Sequence, residues 1–200
     1  MTNKILPISQ TALNGYVHSI LRQMSKDNWQ PDYIVGITRG GLVPAVMISQ
    51  YLDVKMHTLD VSFRDNDLGP ESNLWMAEDA FGYPKKEKFI EDSEDLGAVL
   101  DAASTLLEEG DNYKQILIVD DINDTGATLN WIMDDWQSGC LPNHEDWEHV
   151  WGSNVKFAVV IDNLASKCKV KMDFVGEEID RKSTRLNSSH SQQSRMPSSA

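Results

Sequence analysis

Residues Ile116 to Asn130 read ILIVDDINDTGATLN, four apolar residues that run straight into an acid pair and then a turn of small residues. The apolar run is a strand, and the acids sit where it ends. Neighbouring side chains on an extended chain point to opposite sides. Asp120 and Asp121 can therefore serve different partners, one a ligand hydroxyl and the other a metal ion or a supporting group. Asp124 begins the turn, and Gly126 permits backbone geometry that other residues resist. Ala127 is small enough to let amides converge, and Thr125 and Thr128 add hydroxyls. The turn feeds the N-terminus of a helix expected from about Ala127. Converging amides and the helix dipole make an anion site suited to a phosphate monoester. Acids on the rim of such a cup suit sugar hydroxyls and a hydrated magnesium ion, a hard cation that seeks oxygen. The plain alternative is a solvated acidic turn with Asp124 as an N-cap. The order of strand, acid pair, two residues, Asp-Thr-Gly and helix argues against it.

The rest of the chain supplies a scaffold for that stretch. Leu13, Tyr16, Val17, Ile20, Leu21 and Met24 recur at helical spacing between Ser9 and Asn28. DYIVGI (Asp32 to Ile37) is a short apolar run bounded by Pro31 and a glycine pair, hence a buried strand. GLVPAVMISQYL reads as a helix with Pro44 in its first turn, where proline is tolerated. KMHTLDVSF alternates as a strand, Arg64 to Pro84 reads as a loop, and a helix is expected within Lys88 to Gly110. ATLNWIMDDWQ is a helix, VKFAVVID a strand and KMDFVGEEI an edge strand. Strands that are apolar on both faces and alternate with helices predict an α/β fold, a mostly parallel twisted sheet with helices on both faces. In such sheets ligands bind at the carboxyl ends of the strands, where the aspartates lie.

Charge narrows the partners. The net charge is −13, with 18 basic and 31 acidic residues. Without Arg181, Lys182, Arg185 and Arg195 of the last twenty residues, the body holds 14 basic against 31 acidic residues, or −17. Such a surface repels a nucleic-acid backbone, so positive charge for a phosphate substrate must be local. No apolar run reaches the roughly 20 residues of a membrane span, and MTNKILPISQ lacks the apolar core of a secretory signal. Cys140 and Cys168 have no CxxC spacing, which fits unpaired thiols in a reducing cytoplasm.

The chain divides into one domain, 1–179, and a tail, 180–200. The tail, DRKSTRLNSSHSQQSRMPSSA, is rich in Ser and Arg and has nothing to bury. DRKSTRLNSSH can be encoded by a common short-read sequencing adapter, and SRMPSSA by its continuation. The natural frame is therefore expected to stop being represented near Ile179, and the tail to be unpacked.

IVDDINDTGAT resembles the PRPP-binding signature of the type I phosphoribosyltransferases, with hydrophobics, two acids and an acid-Thr-Gly turn. PDYIVGITRGGLVPAVMISQYLDVK is similar to a strand, loop and helix of the xanthine-guanine enzymes of bacteria and phage. The resemblance covers Pro31 to Phe63 and Gln115 to Ile179; Arg64 to Lys114 is longer than the family pattern and has no match in it. It implies a Rossmann-like core and transfer of the phosphoribosyl group of PRPP to a purine base, with Mg2+ and release of pyrophosphate. By resemblance, Asp120 and Asp121 hold the ribose hydroxyls, directly or through magnesium. Asp124 lies near the base N7 as general base or charge stabiliser. Asp124, Thr125, Gly126, Ala127 and Thr128 wrap the 5′-phosphate, and Arg39, Gly40 and Gly41 of TRGG grip the pyrophosphate. The Thr38–Arg39 peptide is one that can be cis in this family.

Purine members commonly carry a lysine just after the strand that here reads VKFAVVI. This chain has Asp162-Asn163-Leu164, with Lys167 further on, and Asn163 is the expected donor to the base. The family's hood, with an aromatic that stacks on the base, follows the segment matching DFVGEEI; here the tail begins instead, so the hood is expected to be incomplete. A homodimer or homotetramer is the expected assembly. Two other readings stand beside the enzyme. One is a PRPP-binding regulatory module without turnover, which would need neither a base near N7 nor Arg39. The other is a pyrimidine enzyme, although orotate enzymes usually have a hydrophobic residue or Thr at the position of Asp124. His144 and His149 among Glu145, Asp146 and Glu148 read as an exposed turn, and Trp131 and Trp136 as core.

Overall fold

The computed structural model describes residues 7–61, 74–82, 113–140 and 144–180. Five strands form one sheet: β1 (Tyr33–Thr38), β2 (Lys55–Asp60), β3 (Ile116–Asn123), β4 (Val155–Asn163) and β5 (Phe174–Ile179). Their order is β2-β1-β3-β4-β5, and every neighbouring pair is parallel. The described helices are α1 (Gln10–Lys26), α2 (Leu42–Leu52), α3 (Leu74–Phe81), α4 (Ala127–Gly139) and the single turn α5 (Trp147–Val150).

The period of two along each strand sorts its apolar residues between two core layers. Val35, Ile118 and Phe157 face α3, α4 and α5, where Met76, Ile132, Trp136 and Trp147 pack on them. Ile34, Leu117, Val119 and Ala158 face α1 and α2, meeting Ile20, Met24, Ala45 and Ile48. Both faces of the sheet are covered, as the unbroken apolar strands require. Helix α1 starts where Ser9 accepts a hydrogen bond from the Ala12 amide at 3.1 Å, and it buries Val17, Ile20, Leu21 and Met24. Its Gln23 then clasps edge strand β5. The side-chain amide donates to the Val175 carbonyl at 2.7 Å, and its oxygen accepts from the Val175 amide at 3.1 Å. This satisfies backbone groups that an edge strand otherwise leaves open.

Two elements differ from the sequence reading. Residues Leu74–Phe81, inside the segment expected to be a loop, form α3. Met76, Ala77 and Ala80 repeat at helical spacing and are buried. Strand β3 also runs past the apolar residues to Asn123, because its ladder with β4 continues through Ile122↔Ile161 and Asn123↔Asp162. The acid pair is therefore part of the sheet. The helix expected within Lys88 to Gly110, Lys85 and Lys86, and the tail beyond Asp180, where the hood was expected to be incomplete, lie outside the described residues. No described helix is long and apolar enough to cross a membrane.

Candidate active site

All five strands are parallel, so their carboxyl ends share one edge of the sheet. From β1 the chain moves outward to β2; β3 then takes the opposite side of β1. The order reverses between β1 and β3, and a crevice opens at such a switch point. The β1–α2 loop, residues 39–41, lies there against the acid end of β3, which leads on into the β3–α4 turn, residues 124–126.

The glycine loop approaches the acid strand closely. A Cβ on Gly40 would lie 2.3 Å from the Asp121 carboxylate carbon. One on Gly41 would lie 2.3 Å from the Val119 carbonyl oxygen and 2.9 Å from Asp120 Cα. The glycine pair is thus required by contact with the acid strand, beyond any need for a flexible turn. The Thr38–Arg39 peptide is cis, and the Thr38 hydroxyl donates to Asp60 Oδ1 at 2.8 Å. Arg39 is exposed.

Asp120 is buried and Asp121 exposed. The Asp121 amide donates to Asp120 Oδ1 at 2.8 Å. Burial, and then the neighbouring Asp121 carboxylate, push Asp120 well above the usual carboxylate range against that amide's opposing pull. An acid raised in the fold keeps its proton more tightly there than in the unfolded chain. The penalty is absent below the unfolded value of 3.8 and grows as pH rises toward the folded one. Asp120→Asn should therefore raise the melting temperature at about pH 7, by roughly 2–4 °C for each kcal/mol relieved. Melts near pH 4 should show the gain shrinking; a gain independent of pH would mean that charge burial is not its source.

The turn is held from outside. Gly126 has φ +81°, and a Cβ on it would lie 2.4 Å from the Cys168 amide nitrogen. Its carbonyl accepts from the Asn130 amide at 2.9 Å, the first hydrogen bond of α4. The Lys167 amide donates to the Thr125 carbonyl at 3.1 Å. Asn130 bridges to the same segment, donating to the Lys167 carbonyl at 2.9 Å and accepting from the Lys169 amide at 2.8 Å. Asn163 is buried at the end of β4, and its amide donates to the Asp124 carbonyl at 3.1 Å and to Asp124 Oδ1 at 3.2 Å. Thr125 and Ala127 are exposed at the mouth, and Thr128 is half-buried.

A family comparison decides what this crevice belongs to. Residues 7–188 match the phosphoribosyl transferase domain. The chain belongs to the phosphoribosyltransferase family. It is 27% identical over 135 residues to xanthine phosphoribosyltransferase 1 of Saccharomyces cerevisiae, a match covering 64% of this chain and 58% of that protein. The chain thus spans under two thirds of the length of that curated relative. Among solved structures, the purine phosphoribosyltransferase of Pyrococcus horikoshii superposes with a TM-score of 0.52 at 19% identity, covering 90% of each chain. The xanthine-guanine-hypoxanthine phosphoribosyltransferase of Helicobacter pylori gives 0.51 at 15% identity, over 85% of this chain and 84% of the other. Both share the type I phosphoribosyltransferase fold.

In this family member, the fold packs Gly40 and Gly41 against Asp120 and Asp121, and sets Asn163 against Asp124. Some neighbours were not singled out in the sequence. Asn123 donates to Asp162 Oδ1 at 2.8 Å and to the Ser166 hydroxyl at 2.9 Å. Burial raises Asp162, and the Asn123 hydrogen bond works against that rise. Asn130 and Cys168 likewise carried no signal, because their contacts come from chain segments far apart in sequence. The His144 ring meets Phe81 edge-on at 5.3 Å, and no group of three or more His, Cys, Asp or Glu side chains placed to hold a metal occurs among the described residues. Trp136 is buried in the core, and Trp131 packs against it.

Proposed function

We propose that this protein transfers the 5-phosphoribosyl group of PRPP to a purine base, xanthine, guanine or hypoxanthine, with release of pyrophosphate. The observation that carries the reading is the contact of the glycine loop with the acid pair at the switch point, beside a positive-φ turn opening a helix. The family match and the purine relatives support it. In this reading Arg39 and the backbone of Gly40 and Gly41 hold the leaving pyrophosphate. The amides of the 124–128 turn hold the 5′-phosphate, with Thr125 and Thr128 adding hydroxyls.

The acid pair fits Mg2+ by its chemistry. One exposed and one buried carboxylate, side by side, supply two oxygen ligands, the exposed one raising the cost of charging the buried one. Magnesium commonly takes one or two carboxylates and completes its shell with water and substrate oxygens. Such an ion, when bound, would offset the charge of pyrophosphate. Asp120 and Asp121 would orient the ribose hydroxyls. As the glycosidic carbon turns cationic, in chemistry related to glycoside cleavage, Asp124 would accept the proton of the incoming base or balance the positive charge.

Asp121→Ala should weaken magnesium and PRPP together, read as a raised PRPP requirement at fixed magnesium. A raised requirement for the base alone would contradict the assignment. The decisive experiment is a panel of radiolabelled bases with PRPP, with and without magnesium. Label should enter nucleotide from a purine only when both are present. PRPP binding without transfer to any base would support the regulatory module, and transfer to orotate or uracil the pyrimidine enzyme.

A further inference from the structure

The expected place of Asn163 was the base pocket, as a donor to the base. Its surroundings point elsewhere. The residue is 3% exposed. Its Oδ1 accepts from the Ala165 amide at 3.2 Å, which fixes which end of the side chain is oxygen and leaves the nitrogen facing Asp124. That nitrogen reaches both the carbonyl and the carboxylate of Asp124. Asn163 thus holds backbone and side chain of the same acid, from a neighbouring strand. The chain then continues to Lys167, whose amide bonds the Thr125 carbonyl, and to Cys168, whose backbone lies close against Gly126. One short connection therefore bonds or packs against three successive residues of the phosphate turn, and within it Asn163 hydrogen-bonds the side chain that would do chemistry.

We infer that Asn163 is a positioning residue, which aims the Asp124 carboxylate through their hydrogen bond rather than contacting the purine. The inference rests on the proposed transfer reaction for its kinetic consequence, and on the hydrogen bond alone for its structural one. An acid misplaced by about 1 Å loses on the order of 10²-fold in rate, so a carboxylate left to rotate loses turnover while substrates still bind.

The test uses Asn163→Asp, Asp124→Asn and the exchanged pair carrying both, each in the full chain. Asn163→Asp keeps an oxygen for the Ala165 amide and removes the donor to Asp124. Its turnover should fall by roughly 10- to 100-fold, with the KM values of PRPP and purine nearly unchanged. The exchanged pair restores donor and acceptor in reverse. Its melting temperature should return toward that of the parent while its turnover stays as low as that of Asp124→Asn. A purine KM that rises with turnover preserved, in Asn163→Asp, would return the residue to the base pocket and overturn the inference. So would an exchanged pair no more stable than expected from adding the two single changes. If the parent transfers no base at all, the transfer reading fails, yet recovery of stability in the exchanged pair still establishes that Asn163 sets Asp124.

Discussion

On the proposed reaction, Asp124→Asn should lower turnover by about 10²–10⁴-fold, the range of a general-base contribution, while PRPP binding should stay close to that of the parent. The amide is the same size and keeps an oxygen to accept the Asn163 hydrogen bond, observed at 3.2 Å. The amide backbone of the turn, which would hold the phosphate, is untouched. What is lost is the capacity to take a proton or to balance developing positive charge. Steady-state rates with the best purine, beside calorimetry of PRPP with magnesium, separate the two effects. Unchanged turnover would move the role away from Asp124. A parallel loss of PRPP binding would make Asp124 part of the phosphate cup and nothing more.

On the same reading, Gly126→Ala should abolish PRPP binding and lower the melting temperature far more than Gly152→Ala does. The two glycines have nearly the same positive φ, 81° and 80°. Each alanine therefore bears a similar conformational cost, on the order of 1–2 kcal/mol. Their surroundings differ. At Gly152 the nearest atom to a new Cβ is Asp173 Oδ1 at 3.7 Å, an ordinary contact. At Gly126 the Cβ meets the Cys168 amide nitrogen at 2.4 Å, its Cα at 2.6 Å and the Lys167 carbonyl carbon at 2.8 Å. These are backbone atoms, so the 164–168 connection must move away, and with it the bonds that fasten Thr125 and Asn130. Gly152→Ala should melt about 2–4 °C lower per kcal/mol lost and bind PRPP normally. Equal melting temperatures for the two variants would show that the connection yields freely and does not brace the turn.

Much of the molecule was legible before any coordinates. The apolar runs at 33–37, 116–119 and 155–161 are strands because β-branched residues cover both faces, and α1 follows from a helical apolar stripe. Helix α3 was hidden because its eight residues sit among loop-forming ones, and too few apolar positions repeat to reveal a period. The acid pair and the glycine turn were legible for a local reason: adjacent residues on a strand diverge, and glycine alone turns at positive φ without penalty.

Residue order by itself determined which segments are strand and helix, and that acids, small residues and a helix start occur together at 120–128. It also put a glycine pair after β1, without saying what that pair is for. Tertiary structure decided that Gly40 lies against Asp121, because only the strand order, with β1 beside β3, brings those loops to one crevice. It decided too that Asn163 faces Asp124 rather than open space, a contact across 39 positions that depends on the register of β3 with β4. Local patterns are fixed by the nearest few residues and their backbone preferences. Contacts between strand ends depend on the pairing of the whole sheet, and no short stretch of sequence carries that information.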